Sequence, residues 1–209
     1  TLHGYGCDNM QLAIIAAGNL IDYIHITQQQ KMDHINTIQI AKNGMFLKLD
    51  RASRTHLEIT ENLQGQTQHS LLASINYTHT SIGKRKLSHW LHHPLQNIES
   101  IQARQTAVST LIAHEDVCQE LSKQLKNISD MERILTRITL RTAQPKDLIG
   151  LKNSLHCIPS ILQILTQLQS SQAYHTLTNN LITFPNECTL LSNAIIDNPP
   201  ATIRDGGII

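Results

Sequence analysis

The segment of residues 67–95, TQHSLLASINYTHTSIGKRKLSHWLHHPL, constrains the fold of this chain more than any other stretch. Apolar residues recur at helical spacing in both halves of the segment, which predicts two helices joined by a turn. Thr80 or Ser81 can cap the second helix by accepting bonds from its free N–H groups. Pro94 ends that helix, because a proline forces the preceding residue out of the helical region. The apolar positions are Leu71, Leu72, Ile75, Leu87, Trp90 and Leu91.

Three residues of this segment are predicted to have structural roles: Gly83, Trp90 and Pro94. Trp90 is the only tryptophan of the chain. Because an indole has a large apolar surface and one polar N–H, we expect Trp90 in the core with its N–H bonded to a partner.

The composition favours helices over sheets. Hydrophobic residues make up 40% of the 209 residues, but aromatic residues only 3%, so leucine, isoleucine and alanine must fill the core. We therefore predict a mainly α fold, a bundle-like core of long helices with a small antiparallel β element.

Local signals place the helices along the chain. The first is predicted from Met10 to Ile26, and the next from Ser53 to Leu63. Asn97 is the predicted N-cap of a helix, and an apolar stripe from Val117 to Ile128 predicts the next one. Ser129 and Glu132 form a capping box at the start of a third helix, and Pro145 stands at the first position of a fourth. Pro159 is predicted to start or kink a helix, and a last helix is predicted from Glu187 to Ile196. The Ser-, Gln- and Asn-rich residues 169–180 are predicted to form a loop.

The β element has two predicted parts. TIQIAK and MFLKLD flank Asn43-Gly44, a pair that favours a tight turn, so a hairpin is expected near residues 38–49. The sequence ATIRDGGII predicts a strand near residues 201–209.

Charge, cysteines and termini narrow the class of protein. The net charge is +1, which gives no strong overall field for a polyanion. Four scattered cysteines predict free thiols, as in a cytoplasmic protein. No signal peptide is found, and no apolar run is long enough to predict a membrane segment. Since the chain begins at Thr1 and ends at Ile209 within a strand-like pattern, we expect it to be a fragment.

No catalytic or cofactor-binding residue is predicted, because no phosphate loop or nucleophile motif is present. His89 and His93 lie four residues apart, a spacing that can bind zinc. A third ligand is missing from that helix, so we favour surface or capping histidines and predict no metal site.

Two basic groups are candidates for contacts with the DNA backbone. Lys84, Arg85 and Lys86 open a helix, and Arg133, Arg137 and Arg141 follow one another at intervals of four. Either group can bind phosphate. Ion pairs within the protein are the favoured alternative, since most such groups are paired with carboxylates or solvated.

Four segments resemble the MutS family of bacterial DNA mismatch repair proteins: HLEITENLQG, SIGKRKLSHWLHHPL, DMERILTRITLRTAQPKDL and DNPPATIRDGGII. The resemblance implies that residues 1–34 are the helical end of the connector domain and residues 35–209 the first part of the core, or lever, domain. The clamp and ATPase domains would then be absent. Lys86 departs from the family pattern, which has an apolar residue at this position.

The resemblance also implies a function without chemistry in this chain. The segment would link mismatch recognition and the DNA clamp to the ATPase, with Arg85, Trp90 and the Met131–Ile138 face anchoring its helices. ATP and magnesium would bind elsewhere in the longer protein. The implied partners are the other MutS domains, mismatched duplex DNA and repair proteins such as MutL, with no membrane. The alternatives are a helical module that binds the duplex backbone directly and a helical protein-interaction scaffold.

Overall fold

A computed structural model describes residues 7, 10–28, 35, 46–168, 172–200 and 206–207. The chain separates into two compact units, Thr1–Gly44 and Met45–Ile209. The described residues form ten helices and no strand, so the predicted mainly α fold is confirmed for them. The helices are α1 Gln11–Gln28, α2 Arg51–His56, α3 Leu71–Ile75, α4 Ser81–His92, α5 Ile98–Ala113, α6 Glu115–Leu125, α7 Met131–Thr139, α8 Pro145–Thr166, α9 Gln172–Asn180 and α10 Pro185–Ala194.

The predicted β element lies mostly outside the described residues. Residues 36–45 of the hairpin and most of the 201–209 segment belong to the undescribed part of the chain. Of the hairpin's second half, Phe46 forms an isolated antiparallel bridge with Leu95. The described residues at 47–50 form no strand.

Helix α8 is the centre of the second unit. Helices α6, α7, α9 and α10 all pack against it. A cluster of buried residues fills the space between α5, α6, α8 and α9. By length and composition alone α8 could cross a membrane, but its apolar residues form this core. The cluster consists of Val117, Ile161, Ile164, Leu165, Leu168 and Tyr174.

The structure bears on two predictions for this region, those for Pro159 and for residues 169–180. Pro159, predicted to start or to kink a helix, lies inside α8 and therefore does not start one. A proline removes one helical hydrogen bond, and the burial of Ile161, Ile164 and Leu165 on the far side offsets that loss. Residues 172–180, predicted as a loop, form α9. The polar composition misled the prediction, because tertiary packing stabilises this helix: Tyr174 is buried, and its hydroxyl donates to the Ala107 carbonyl at 2.7 Å.

Helix α2 is shorter than predicted. It begins after Asp50, whose carboxylate accepts from the Ser53 N–H at 2.7 Å, and it ends at His56. Glu58 has a φ of +47°, which no α-helix allows, so the predicted continuation to Leu63 is wrong.

The start of α7 lies very close to α8. The buried Ser154 hydroxyl accepts from the Ser129 N–H at 2.9 Å and donates to the Gly150 carbonyl at 2.7 Å. A Cβ atom on Gly150 would lie only 2.9 Å from the Ser129 hydroxyl oxygen. The two segments approach this closely because residue 150 has no side chain.

Helix α8 is also tied to the segment after α10. Lys152 is buried, and its Nζ lies 2.8 Å from Oδ1 of Asp197. This hydrogen bond lowers the pKa of Asp197 below its usual range. A buried ammonium needs such a partner.

Candidate functional site: an arginine clasp between α4 and α7

Helix α4 begins with the predicted cap. The Thr80 hydroxyl accepts from the Gly83 N–H at 2.9 Å. A Cβ atom on Gly83 would lie 2.9 Å from that hydroxyl oxygen and 3.4 Å from the Thr78 Cβ. Gly83 therefore leaves room for the cap, which fixes the direction of α4. The helix ends at His92, just before Pro94.

Arg85, in the second turn of α4, joins this helix to the start of α7. Its two terminal nitrogens donate to the two carboxylate oxygens of Asp130, each at 2.8 Å. The same guanidinium also bonds to Glu132. Asp130 is at the same time the N-cap of α7, accepting from the Arg133 N–H at 3.4 Å. We call the ion pairs of Arg85 with Asp130 and Glu132 the arginine clasp.

The clasp shifts the pKa values of both Arg85 and Asp130. The hydrogen bond from Arg85 lowers the pKa of Asp130. Hydrogen bonds to Asp130 and then to Glu132 raise the pKa of Arg85. Two parallel N–H to oxygen bonds also fix the orientation of the two groups, which a lysine could not do.

A second ion pair continues from α7 to α8. Arg137 donates to Oδ1 of Asp147 at 2.6 Å, and the other oxygen of Asp147 accepts from the Gln144 N–H at 2.9 Å. The clasp and this pair border a shallow pocket of about 350 Å³. Its lining residues are Arg85, Glu132, Arg133, Thr136 and Arg137.

The predicted basic groups are thus brought together only in part. Arg85, Arg133 and Arg137 lie around one pocket, and each is within ion-pair distance of a carboxylate. Lys84 and Lys86 are exposed, and neither forms an ion pair with any residue that the structure describes. The geometry of the arginines matches the favoured interpretation, ion pairs within the protein.

Arg141 is not part of the predicted stripe, because α7 ends before it at Thr139. Its φ is +56°, its N–H donates to the Ile138 carbonyl, and the next N–H, of Thr142, donates to the Arg137 carbonyl. These two bonds form a Schellman motif. The prediction missed this helix end because glycine usually occupies the left-handed position.

Trp90 and the Met131–Ile138 face, the other two predicted anchors, are less buried than expected. Trp90 is 39% exposed, and the Arg104 guanidinium lies 3.9 Å from its ring centroid. The indole is thus covered by a cation–π contact and is not in the core as predicted. On the Met131–Ile138 face only Ile134 is buried, while Leu135 and Ile138 are exposed.

The carboxylate partners were not predicted as such. Ser129 and Glu132 were expected to form a capping box, but Asp130 is the cap. The Ser129 N–H bonds instead to Ser154, and the Glu132 carboxylate bonds to Arg85. Aspartate is as good an N-cap as serine, so the residue type at position 130 could have identified Asp130 as the cap of α7.

The two histidines considered for zinc are close together. The rings of His89 and His93 stack with 4.3 Å between their centroids. Within the described ranges, no three His, Cys, Asp or Glu side chains are arranged to hold a metal ion.

Comparison with known families assigns the chain. Residues 52–209 match the family model of MutS domain III. The chain belongs to the MutS domain III family. This match confirms the predicted membership of the MutS family, and it covers both helices joined by the arginine clasp.

The clasp predicts an acid-sensitive contribution to stability in this MutS domain. The pKa of Asp130 is lower in the folded chain than its ordinary value of 3.8. The stabilisation is therefore complete above that value and is lost as the pH falls through the folded pKa. We expect Asp130→Asn to lower the urea midpoint at neutral pH and to flatten its fall in acid, because asparagine keeps the cap but not the charge.

Glu120→Gln is the matched control, since Glu120 is exposed on α6. It should leave both the midpoint and its pH dependence close to those of the unchanged chain. Equal acid curves for the Asp130 variant and the unchanged chain would show that the clasp does not contribute in this way.

Proposed function

We propose that this chain is a structural linking module of a MutS-type mismatch repair protein. In that role it transmits movement between the domains that recognise mismatched DNA and the ATPase. The observation that supports this most directly is the arginine clasp, which joins two helices whose interacting residues lie 45 positions apart in the sequence. The proposal includes no chemistry in the chain itself.

Long helices suit transmission of movement. At 1.5 Å per residue, the 22 residues of α8 span about 33 Å and the 16 residues of α5 about 24 Å. Because α8 packs against four other helices, a displacement at one of its ends is carried to the other with little bending.

The clasp supplies a defined connection at the side of this bundle. Helix α4 packs on α3, whereas α5 to α10 pack chiefly on one another. Among the described residues, the ion pairs of Arg85 and the contact between Trp90 and Arg104 link these two groups of helices. Breaking the clasp should therefore loosen the connection while leaving the core of each group intact.

The partners in this proposal are the other MutS domains, with mismatched DNA and MutL reached through the longer protein. ATP and magnesium would bind outside this segment, and the chain alone would not be an enzyme. The expected location is the cytoplasm, at the bacterial nucleoid.

The first test is fluorescence anisotropy of labelled duplexes, matched and mismatched, titrated with the 209-residue chain. We expect weak binding that disappears at physiological salt and ignores the mismatch. Lys84→Glu with Lys86→Glu should remove that residual binding, because binding through phosphates depends on free cations. ATP hydrolysis should stay at the level of buffer.

Binding that survives physiological salt would instead favour the alternative of a module that grips the DNA backbone. A preference for the mismatch, or ATP hydrolysis by the chain, would contradict the proposed role outright.

The second test uses a longer MutS protein that contains this domain. Arg85→Ala should weaken the stimulation of ATP hydrolysis by mismatched DNA, since the link between the helices is broken. Lys123→Ala, an exposed lysine of α6 without an ion pair among the described residues and outside the predicted DNA contacts, is the control. An unchanged response in the Arg85 variant would show that the clasp transmits nothing.

A further inference from the structure

The C-terminal end of α4 carries a compact group of aromatic rings. The stacked rings of His89 and His93 are inclined by 28° to each other. The Phe46 ring meets both in edge geometry, with centroid distances of 6.1 Å to His89 and 5.6 Å to His93. The three rings therefore form one cluster, which joins the start of the second unit to α4.

The segment containing Phe46 is held by few other contacts. The Leu47 N–H donates to the Pro94 carbonyl at 2.8 Å, next to the isolated bridge between Phe46 and Leu95. Since the second unit begins at Met45, this attachment fixes the first residues of that unit. A single bridge is weak, so the ring contacts must contribute much of the attachment.

The charged groups that shift the pKa values of His89 and His92 are all cationic or basic. His89 faces Lys86 of its own helix and Arg104 of α5, and His92 faces Arg54 of α2. No carboxylate of the described residues is among the causes that shift the pKa of either imidazole. The arginine clasp is balanced by carboxylates, whereas this cluster is not.

Two buried polar atoms in the same region have no hydrogen-bond partner among the described residues: Nδ1 of His92 and Nε of Arg54. An unbonded ring nitrogen leaves a site where a proton can be added. An imidazolium there would stand beside a guanidinium, with no anion to offset the repulsion.

Partial loss of hydration is the main cause that lowers the pKa of His89, whose side chain is exposed, and of the half-buried His92 below the ordinary value of 6.5. The neighbouring cations lower both pKa values further. The folded chain therefore favours neutral rings. When the pH falls below about 6.5 the unfolded chain takes up protons first, and folding loses stability through these groups.

We propose that the histidines at the end of α4 form a proton-sensitive latch for the Phe46–Leu47 segment. At neutral pH His89 is uncharged, its ring stacks on that of His93, and the segment is attached. In mild acid, a proton on His89 places positive charge beside Lys86 and Arg104, and a proton on His92 places it beside Arg54. The repulsion weakens the ring cluster, and the segment is released. The latch changes how firmly the first residues of the second unit are held, without unfolding the helical core.

Hydrogen exchange of the Leu47 amide tests this directly, because that N–H makes the bond to Pro94. Its protection factor, corrected for the intrinsic effect of pH, should fall on the order of tenfold between about pH 7.5 and about pH 5. The Leu72 amide, which bonds to the Ile59 carbonyl at 2.9 Å, is the internal control and should not change.

The test variant is His89→Gln with His93→Gln, which removes the stacked pair, and the matched control is His156→Gln, an exposed histidine on α8. The loss of protection should become smaller in the double variant and stay the same in the control. In the unchanged chain, the pH at which half of the Leu47 protection is lost should coincide with the titration midpoint of His89 or His92 measured by NMR.

Three results would overturn the latch. They are a Leu47 protection factor that does not change with pH, an equal fall at Leu72, and a midpoint separate from the titration of both histidines. The last comparison needs no variant, so it holds even where the double variant fails to fold.

Discussion

Replacing Leu168 by alanine is expected to lower the free energy of unfolding by about 2–5 kcal/mol. The Leu168 side chain is fully buried, with 0% exposure, and lies in the cluster formed with Val117, Ile161 and Tyr174. Truncation removes apolar contacts on all sides and leaves a cavity, because helices α6, α8 and α9 are fixed by their other contacts. Urea unfolding followed by circular dichroism measures the change.

Leu190→Ala is the control for this substitution. The Leu190 side chain is 67% exposed on α10, so the same loss of three carbons should cost well under about 1 kcal/mol. Similar losses at the two positions would mean that the cluster around Leu168 is not the stabilising core of the chain.

The second large effect is expected at Ser154. Alanine at this position leaves the Ser129 N–H without its acceptor in a part-buried position, which costs about 1–3 kcal/mol. The side-chain volume is nearly unchanged, so the loss of unfolding free energy comes mainly from the unbonded Ser129 N–H. Ser160→Ala, at an exposed position of the same helix, should be neutral or slightly stabilising because alanine is the better helix former.

Urea unfolding gives the free energies of unfolding of the Ser154 and Ser160 variants. Hydrogen exchange of the Ser129 amide then tests whether the change is local. The Ser129 amide should exchange faster in the Ser154 variant than in the Ser160 variant. A Ser154→Ala chain as stable as the unchanged one would show that water or a rearrangement satisfies the Ser129 N–H.

The helices that could be predicted are those whose signals are local. Thr80, Asn97 and Pro145 start their helices as expected, because caps and first-turn prolines act within one turn of the backbone. Helix α9 could not be predicted, since Tyr174 stabilises it through a bond to Ala107. That bond joins residues 67 positions apart, a separation that no local pattern records.

In the candidate site, too, the features with local signals were predictable and those that depend on tertiary packing were not. The basic residues of α4 and α7 were recognised from spacing, and a need for compensating anions followed from their charge. Which carboxylates would compensate Arg85 depended on how α4 crosses the start of α7, which is a matter of packing. Trp90 was misplaced for a related reason: Arg104 can cover an indole at the surface, and a hydrophobicity pattern does not distinguish such cover from burial.

The close approach at Gly150 makes the core and the clasp interdependent under mutation. A side chain at residue 150 would push on Ser129, the neighbour of Asp130, and so displace one end of the clasp from inside the bundle. Substitutions at residues 150 and 129 are therefore expected to be non-additive, because a change at residue 129 can restore the space that a side chain at residue 150 removes.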